Sequence, residues 1–197
     1  NEPTIYPIFS SPICDCIIEI DDNVKDYVIN QQFIRNPANS AFDSVNKMLL
    51  DDPNCAVLKS EVMRYVNVFL HDDLKYPRNY EFYMVRSWAT KHGPGDWLPT
   101  HVHPNSLISG NMYLKVPEDS GNITFEKETP LISWTVKIVP EEENIINSET
   151  YFFRPAENHM FLFPSRLPHR VGVNRSPEFR YGLAFNIFVR GTLGAGT

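Results

Sequence analysis

The sequence predicts a mainly β protein, an antiparallel sandwich or barrel with flanking helices, on three observations. From about Tyr80 onward, short β-branched and aromatic runs recur between turn signals such as Pro94-Gly95, Ser120-Gly121 and Asn174-Arg175-Ser176-Pro177. Ahead of them, Leu58, Val62, Tyr65, Val66, Phe69 and Leu70 follow the stripe of an amphipathic helix that covers a sheet. On the last run, Arg180, Gly182, Ala184 and Asn186 share one face and Tyr181, Leu183, Phe185 and Ile187 the other. One face is polar or small and the other bulky, as in a strand that lines a ligand cavity and packs its back against neighbours.

Taken in order, residues 5–9 and 14–20 read as two strands separated by Ser10-Ser11-Pro12, with Pro7 placing the first at a sheet edge. Cys14 and Cys16 share a strand face as small buried hydrophobes. Asp21 and Asp22 cap a helix over residues 23–34, with Val24, Tyr27, Val28 and Gln31 on one side. A second, short helix runs through Val45, Met48 and Leu49 to about Asp51. Asp52-Pro53, an N-cap followed by proline at the first helical position, opens the third and clearest helix. The strands then fall at residues 81–90, 101–102, 109–116, 122–126, 132–139, 150–154, 159–163, 170–173 and 180–190.

The bulk numbers fit one well-filled core: 197 residues, 42% hydrophobic and 21% charged. A single domain is expected over residues 1–190, with N-terminal strands and helices in 1–79, the β core in 80–190 and a mobile small-residue tail at 191–197. A net charge of -6 and a pI near 5.5 argue against nucleic acid or an anionic membrane as the main partner. Cys14, Cys16 and Cys55 are odd in number and lack Cys-x-x-Cys spacing, which suggests neither a disulfide framework nor a thiolate metal site. Residues 1–4 lack the features of a signal peptide and no apolar run approaches the roughly 20 residues needed to span a bilayer, so a cytoplasmic location is expected. The oligomeric state stays open, a homodimer included.

Of six histidines, three form a His-x-His…His constellation: His101, His103 and His169. On a strand, positions i and i+2 project to one side about 7 Å apart at most, within reach of one metal ion. A third imidazole from a distant strand gives three protein ligands and open positions, the arrangement of a catalytic site for iron, zinc or manganese. His71, His92 and His159 read as structural or solvated residues, and Trp88, Trp97 and Trp134 as packing residues, with a place at a substrate entrance as the alternative. Ser165 lacks a Gly-x-Ser-x-Gly elbow and reads as a turn residue. Glu141-Glu142-Glu143 reads as a solvated loop.

Read together, His101-x-His103, residues 109–114, residues 120–125, the Phe161-Leu162-Phe163-Pro164-Ser165-x-x-x-His169 run and Arg180-x5-Asn186 resemble the Fe(II)/2-oxoglutarate-dependent oxygenases. The core is similar to that of prolyl hydroxylases, and the opening residues 6–13 also look like a branch of the superfamily. The resemblance implies a double-stranded β-helix, a cupin-like jelly roll with helices on one sheet. It implies Fe(II) at His101, His169 and the second position of the first motif, where relatives carry Asp or Glu and this chain has His103. Neutral imidazole is a good Fe(II) ligand, but the exchange leaves the site one unit more positive. Asp96 is the alternative source of a carboxylate.

Arg180 falls where the family places the basic residue that pairs with the distal carboxylate of 2-oxoglutarate, a match for guanidinium geometry. Tyr113 matches a position whose phenol helps hold that carboxylate, and Asn186 is a further cosubstrate-pocket candidate. The Ser or Thr often found shortly after the arginine is replaced by Gly182 and Ala184. The implied function is a dioxygenase that hydroxylates a peptide or small-molecule substrate with release of succinate and CO2. The rival readings are a cupin-type three-histidine metalloenzyme without 2-oxoglutarate, a hydrolytic zinc site, and a non-catalytic binding module. Substrate selectivity is assigned to the loops at residues 89–99 and 140–150.

Overall fold

A computed structural model describes residues 3–6, 8–128 and 139–193. Strand β1 (Cys14–Ile17) leads to helix α1 (Asp22–Ile29), whose N-cap Asp21 accepts a 2.8 Å hydrogen bond from the Asn23 amide. Two short strands follow, β2 (Phe33–Arg35) and β3 (Phe42–Ser44), then 3-10 turns at Leu49–Asp51 and Pro53–Cys55. Asp52 caps the second turn through the Asn54 amide and so starts helix α2 (Ala56–Asn67), which continues as a π-helical turn over Val68–Asp73. The remaining strands are β4 (Glu81–His92), β5 (Leu98–His101), β6 (Ile108–Lys115), β7 (Ile123–Glu126), β8 (Thr150–Phe153), β9 (His159–Pro164), β10 (His169–Val171) and β11 (Arg180–Arg190).

Two antiparallel sheets face each other. One has the order β1-β9-β6-β11-β4-β3-β2 and the other β5-β10-β7-β8. Alternation along single strands builds two cores. In β9, Met160 and Leu162 point to the helices while Phe161 and Phe163 point between the sheets. The helix-side core joins Leu58, Val62, Val66, Phe69 and Leu70, the predicted stripe, to Leu183, Phe185 and Ile187 of β11. Gly110 of β6 makes room for this packing, since a Cβ there would lie 2.1 Å from the Phe185 ring. The inter-sheet core, Tyr113, Ile123, Phe125, Phe161, Phe163 and Leu167, fills one end of the sandwich and leaves the other end open. Helices outside one sheet of a two-sheet jelly roll make this the double-stranded β-helix.

A bulge decides what β4 presents. Asn186 of β11 pairs with Arg86 while the next residue, Ile187, pairs with Met84, so Val85 is an extra residue on β4. Phe82 and Met84 therefore face the helices, and after the bulge Ala89 does, while Arg86, Trp88, Thr90 and His92 turn to the cavity. Without the bulge, regular alternation from Met84 would have sent those four side chains into the apolar layer.

Several local expectations are corrected. Ile5, Tyr6, Ile8 and Phe9 are exposed and join no strand, and Pro7 of that run, outside the described residues, has no amide to offer a ladder. The helix expected over 23–34 ends at Ile29, because Phe33–Arg35 pairs with Phe42–Ser44 instead. Where a second helix was expected there is β3 and a single 3-10 turn, with Val45 and Met48 exposed. Cys14 and Cys16 are only half-buried. The first part of the 89–99 loop is strand, as β4 runs to His92. Most of the strand expected at 132–139, with Trp134, lies outside the described residues. Among the described residues, no helix is long and apolar enough to cross a membrane.

Candidate metal centre

His101 ends β5, and His169 begins β10. The two strands are antiparallel neighbours in the smaller sheet, and these residues are directly paired in the ladder. His103 lies beyond the strand end, so the expected same-face strand spacing does not hold for it. It is positioned by its amide, which donates a 2.9 Å bond to the Ser165 carbonyl just before His169. The ring centroids of the three histidines stand 4.3 to 5.1 Å apart, and one nitrogen from each lies within 4.8 Å of the others.

Backbone carbonyls orient two of the rings. His101 Nδ1–H donates to the Pro99 carbonyl at 2.8 Å, and His169 Nδ1–H to the Leu167 carbonyl at 2.9 Å. Each bond fixes the tautomer that leaves an Nε2 lone pair for a metal. His103 Nε2 and His169 Nε2 are 3.2 Å apart. A divalent ion with metal–nitrogen bonds of about 2.1 Å holds adjacent ligands about 3 Å apart, so these nitrogens fit one ion. Burial, reinforced by the His101 and Arg86 charges, pushes the His103 pKa down to about 4. Burial and the neighbouring histidines push that of His169 down to about 3. Both imidazoles are therefore neutral ligands at physiological pH.

Asp96 stands apart from this cluster. Its Oδ2 accepts from the Gly93 amide at 2.7 Å, its Oδ1 lies 3.6 Å from Arg35, and its carbonyl accepts from the Asn174 amide. It holds the β4–β5 turn, and the three-nitrogen cluster contains no carboxylate.

The histidines open into a cavity of about 470 Å³ between the sheets. Its larger-sheet wall is a set of cross-strand pairs: Arg180 opposite His92, Gly182 opposite Thr90, Ala184 opposite Trp88 and Asn186 opposite Arg86. Trp88 takes the alternative place and lines the cavity, where small Ala184 leaves room beside it. Thr90 brings a hydroxyl to this wall from the strand beside Gly182. A Cβ on Gly182 would come within 3.0 Å of its Oγ1.

Arg180 is 3% exposed. Its Nη1 donates to the Ser120 and Gly121 carbonyls at 2.6 and 2.8 Å, and among the described residues no carboxylate pairs with it. Tyr113, also buried, lies under the guanidinium with its ring centroid 5.9 Å away. Burial lowers the Arg180 pKa and raises that of Tyr113, so the site holds a desolvated cation beside a neutral phenol. Ile123, Phe163, Val171 and Leu98 supply apolar wall. The arrangement suits an anion with an aliphatic stem.

Asn186 lines the same cavity six residues from Arg180, about 20 Å along the strand. Its Oδ1 accepts from Ser109 Oγ at 2.9 Å in a chain that continues to Ser165 and Ser106. Ser165 thus belongs to a buried hydroxyl network beneath the His103 loop. His92, expected to be structural or solvated, is buried in the cavity wall.

No curated protein matches the chain significantly in sequence. Among solved structures, a Pseudomonas putida prolyl-4-hydroxylase is similar at 14% identity and a TM-score of 0.58, over 92% of this chain and 95% of that one. A Trichoplax adhaerens prolyl hydroxylase, solved with a hypoxia inducible factor peptide fragment, is similar at 15% identity and a TM-score of 0.60, over 89% and 83%. HygX from Streptomyces hygroscopicus, solved with nickel and 2-oxoglutarate, is similar at 10% identity and a TM-score of 0.60, over 93% and 84%. These likenesses establish the shared fold. The family described as "Putative 2OG-Fe(II) oxygenase" matches residues 86–186, from the first cavity-facing residue of β4 to Asn186. That span is just over half of the chain, and with it the protein belongs to this 2-oxoglutarate- and Fe(II)-dependent oxygenase family.

Proposed function

We propose that the chain is a dioxygenase that hydroxylates a peptide or small-molecule substrate and converts 2-oxoglutarate to succinate and CO2. The observation that carries this reading is the pairing, in one cavity, of three convergent histidine nitrogens with a buried guanidinium that lacks a carboxylate partner among the described residues. His101, His103 and His169 hold Fe(II), and Arg180 and Tyr113 anchor the distal carboxylate of 2-oxoglutarate. Fe(II) with 2-oxoglutarate supplies the oxidising chemistry: one oxygen atom of O2 enters the substrate C–H bond and the other enters succinate.

The protein's part is placement. The carbonyls of Pro99 and Leu167 aim two ligands, and the carbonyls of Ser120 and Gly121 hold Arg180. The apolar wall keeps water from the cosubstrate stem, which strengthens the ion pair inside. With neutral imidazole in place of the usual acid, no protein carboxylate neutralises the ion, so the charge of 2-oxoglutarate itself does more of that work. A three-histidine enzyme without 2-oxoglutarate would leave Arg180 buried for no purpose, and burying an unpaired charge is costly.

The test is succinate production by iron-loaded protein given 2-oxoglutarate, O2 and a panel of peptides and small molecules, together with calorimetric titration of 2-oxoglutarate into Mn(II)-loaded protein. Binding with succinate release is the expected result. Absence of both would overturn the proposal.

A further inference from the structure

His92 closes β4 directly opposite Arg180, and the Val85 bulge has turned its side chain to the cavity. It is 4% exposed. Its backbone carbonyl accepts from Asn174 Nδ2 at 2.9 Å, and Asn174 is tied in turn to Gly95 and Asp96. The imidazole is different. Nε2 is buried and has no hydrogen-bond partner among the described residues. A buried polar atom left unpaired costs about 1–3 kcal/mol, so an orphan on a cavity wall points to a partner that arrives with the ligand. His92 lies outside the three-nitrogen cluster, so that partner is not the metal.

The neighbourhood specifies the partner's chemistry. Burial and the adjacent Arg180 charge hold His92 well below the usual imidazole range, so the ring is neutral and carries one N–H. Beside it stands the guanidinium of Arg180, which in turn lies over the ring of Tyr113. A single carboxylate would match the Arg180 charge and still have lone pairs for a neutral donor. A second cation at this point would overcompensate one negative charge, whereas a neutral N–H does not.

We propose that His92 is a binding residue for 2-oxoglutarate, its Nε2–H donating to the same terminal carboxylate that Arg180 pairs. This rests on the cosubstrate reading given above. His92 makes the anchoring end selective for a dicarboxylate keto acid over a monocarboxylate one, because removing the terminal carboxylate strands two buried groups rather than one.

The test is calorimetric titration of anaerobic Mn(II)-loaded protein with 2-oxoglutarate and with 2-oxopentanoate, in which a methyl group replaces the terminal carboxylate. His92→Phe keeps a ring of similar size and donates nothing, while His92→Gln returns an N–H near the Nε2 position. His92→Phe should weaken 2-oxoglutarate roughly ten- to a hundredfold, the worth of a hydrogen bond to a charged group. It should change 2-oxopentanoate less than about threefold, and His92→Gln should recover most of the loss. Without ligand, His92→Phe should melt at or above the wild-type temperature, since it removes an orphaned polar atom.

Unchanged 2-oxoglutarate affinity in His92→Phe, equal weakening of both keto acids, or a melting point well below wild type would overturn the assignment. The last would mean that Nε2 has a structural partner. A wild-type protein that binds Mn(II) but neither keto acid would overturn the cosubstrate reading itself, and this assignment with it.

Discussion

His101 and His169, 68 positions apart in sequence, are directly paired residues of β5 and β10, with ring centroids 4.3 Å apart. The ladder, rather than a loop, fixes their separation, so replacing either should abolish tight metal binding without unfolding the smaller sheet. His101→Ala and His169→Ala are expected to lose Mn(II) affinity by at least about a hundredfold by calorimetry, and to keep the wild-type circular dichroism spectrum. Retention of wild-type affinity by either variant would exclude it as a ligand.

His103 reaches the cluster from coil, pinned by one amide bond to Ser165. His103→Asp keeps a ligand and adds a negative charge, restoring the two-histidine, one-carboxylate set that suits Fe(II). This variant should hold metal at least as tightly as wild type. It should bind dianionic 2-oxoglutarate more weakly, because the site is one unit less positive. His103→Leu should weaken the metal instead, by roughly ten- to a hundredfold, and calorimetry of the three proteins orders them.

Arg180 and Tyr113 meet in a wall with no carboxylate partner for the guanidinium among the described residues. Arg180→Met should therefore raise the Kd for 2-oxoglutarate by two orders of magnitude or more, and leave Mn(II) affinity within a few-fold. Arg180→Lys should fall between, since an ammonium offers a point charge without the planar fork. An Arg180→Met protein with wild-type keto-acid affinity would mean that the anchor lies elsewhere.

Much of the architecture was legible because its periods are simple. The Leu58, Val62, Val66 stripe repeats at helical spacing, and β11 alternates small or polar residues with bulky ones for its whole cavity-lining length. What escaped depends on pairings that a single sequence does not encode locally. Phe33 and Ile34 continue a helical pattern until β3 offers a strand partner. Val85 looks like any strand residue until the β11 register shows it to be extra, and that shift alone carries Trp88 and His92 to the cavity. His103 shares the His-x-His spacing of a strand, yet the strand ends at His101. One signal for His92 was available: it falls in the Gly- and Pro-rich approach to the first motif, where a buried histidine has few neighbours to satisfy it.

Gly121 links the fold to the anchor. It has a φ of +85°, and a Cβ there would lie 2.2 Å from the Gly172 carbonyl oxygen, while its own carbonyl accepts from Arg180 at 2.8 Å. Gly121→Ala must push β10 and the start of β7 apart or abandon the left-handed backbone. The expected result is a loss on the order of 2–4 kcal/mol in urea denaturation, with weaker 2-oxoglutarate binding as the Arg180 perch shifts. Gly95 has a similar φ of +82° but open space around it, so Gly95→Ala should cost only the backbone strain and spare the cosubstrate.

Two buried histidines and the half-buried His103 also make stability depend on pH with a definite sign. His92, His103 and His169 all have pKa values depressed in the folded chain, the latter two to about 4 and about 3, against 6.5 when unfolded. Below pH 6.5 the unfolded chain takes up protons that the folded chain refuses, so it binds more protons and stability rises with pH. The contribution is complete above about pH 6.5 and is lost progressively as pH falls toward the folded values. Each such histidine can add a slope approaching about 1.4 kcal/mol per pH unit within that window. Urea denaturation of metal-free protein between pH 7.5 and pH 5 should show this fall, before most carboxylates titrate. His92→Phe removes one of the three groups and should flatten the slope by about a third. A slope identical to wild type would show that His92 accepts a proton in the folded chain as readily as in the unfolded one.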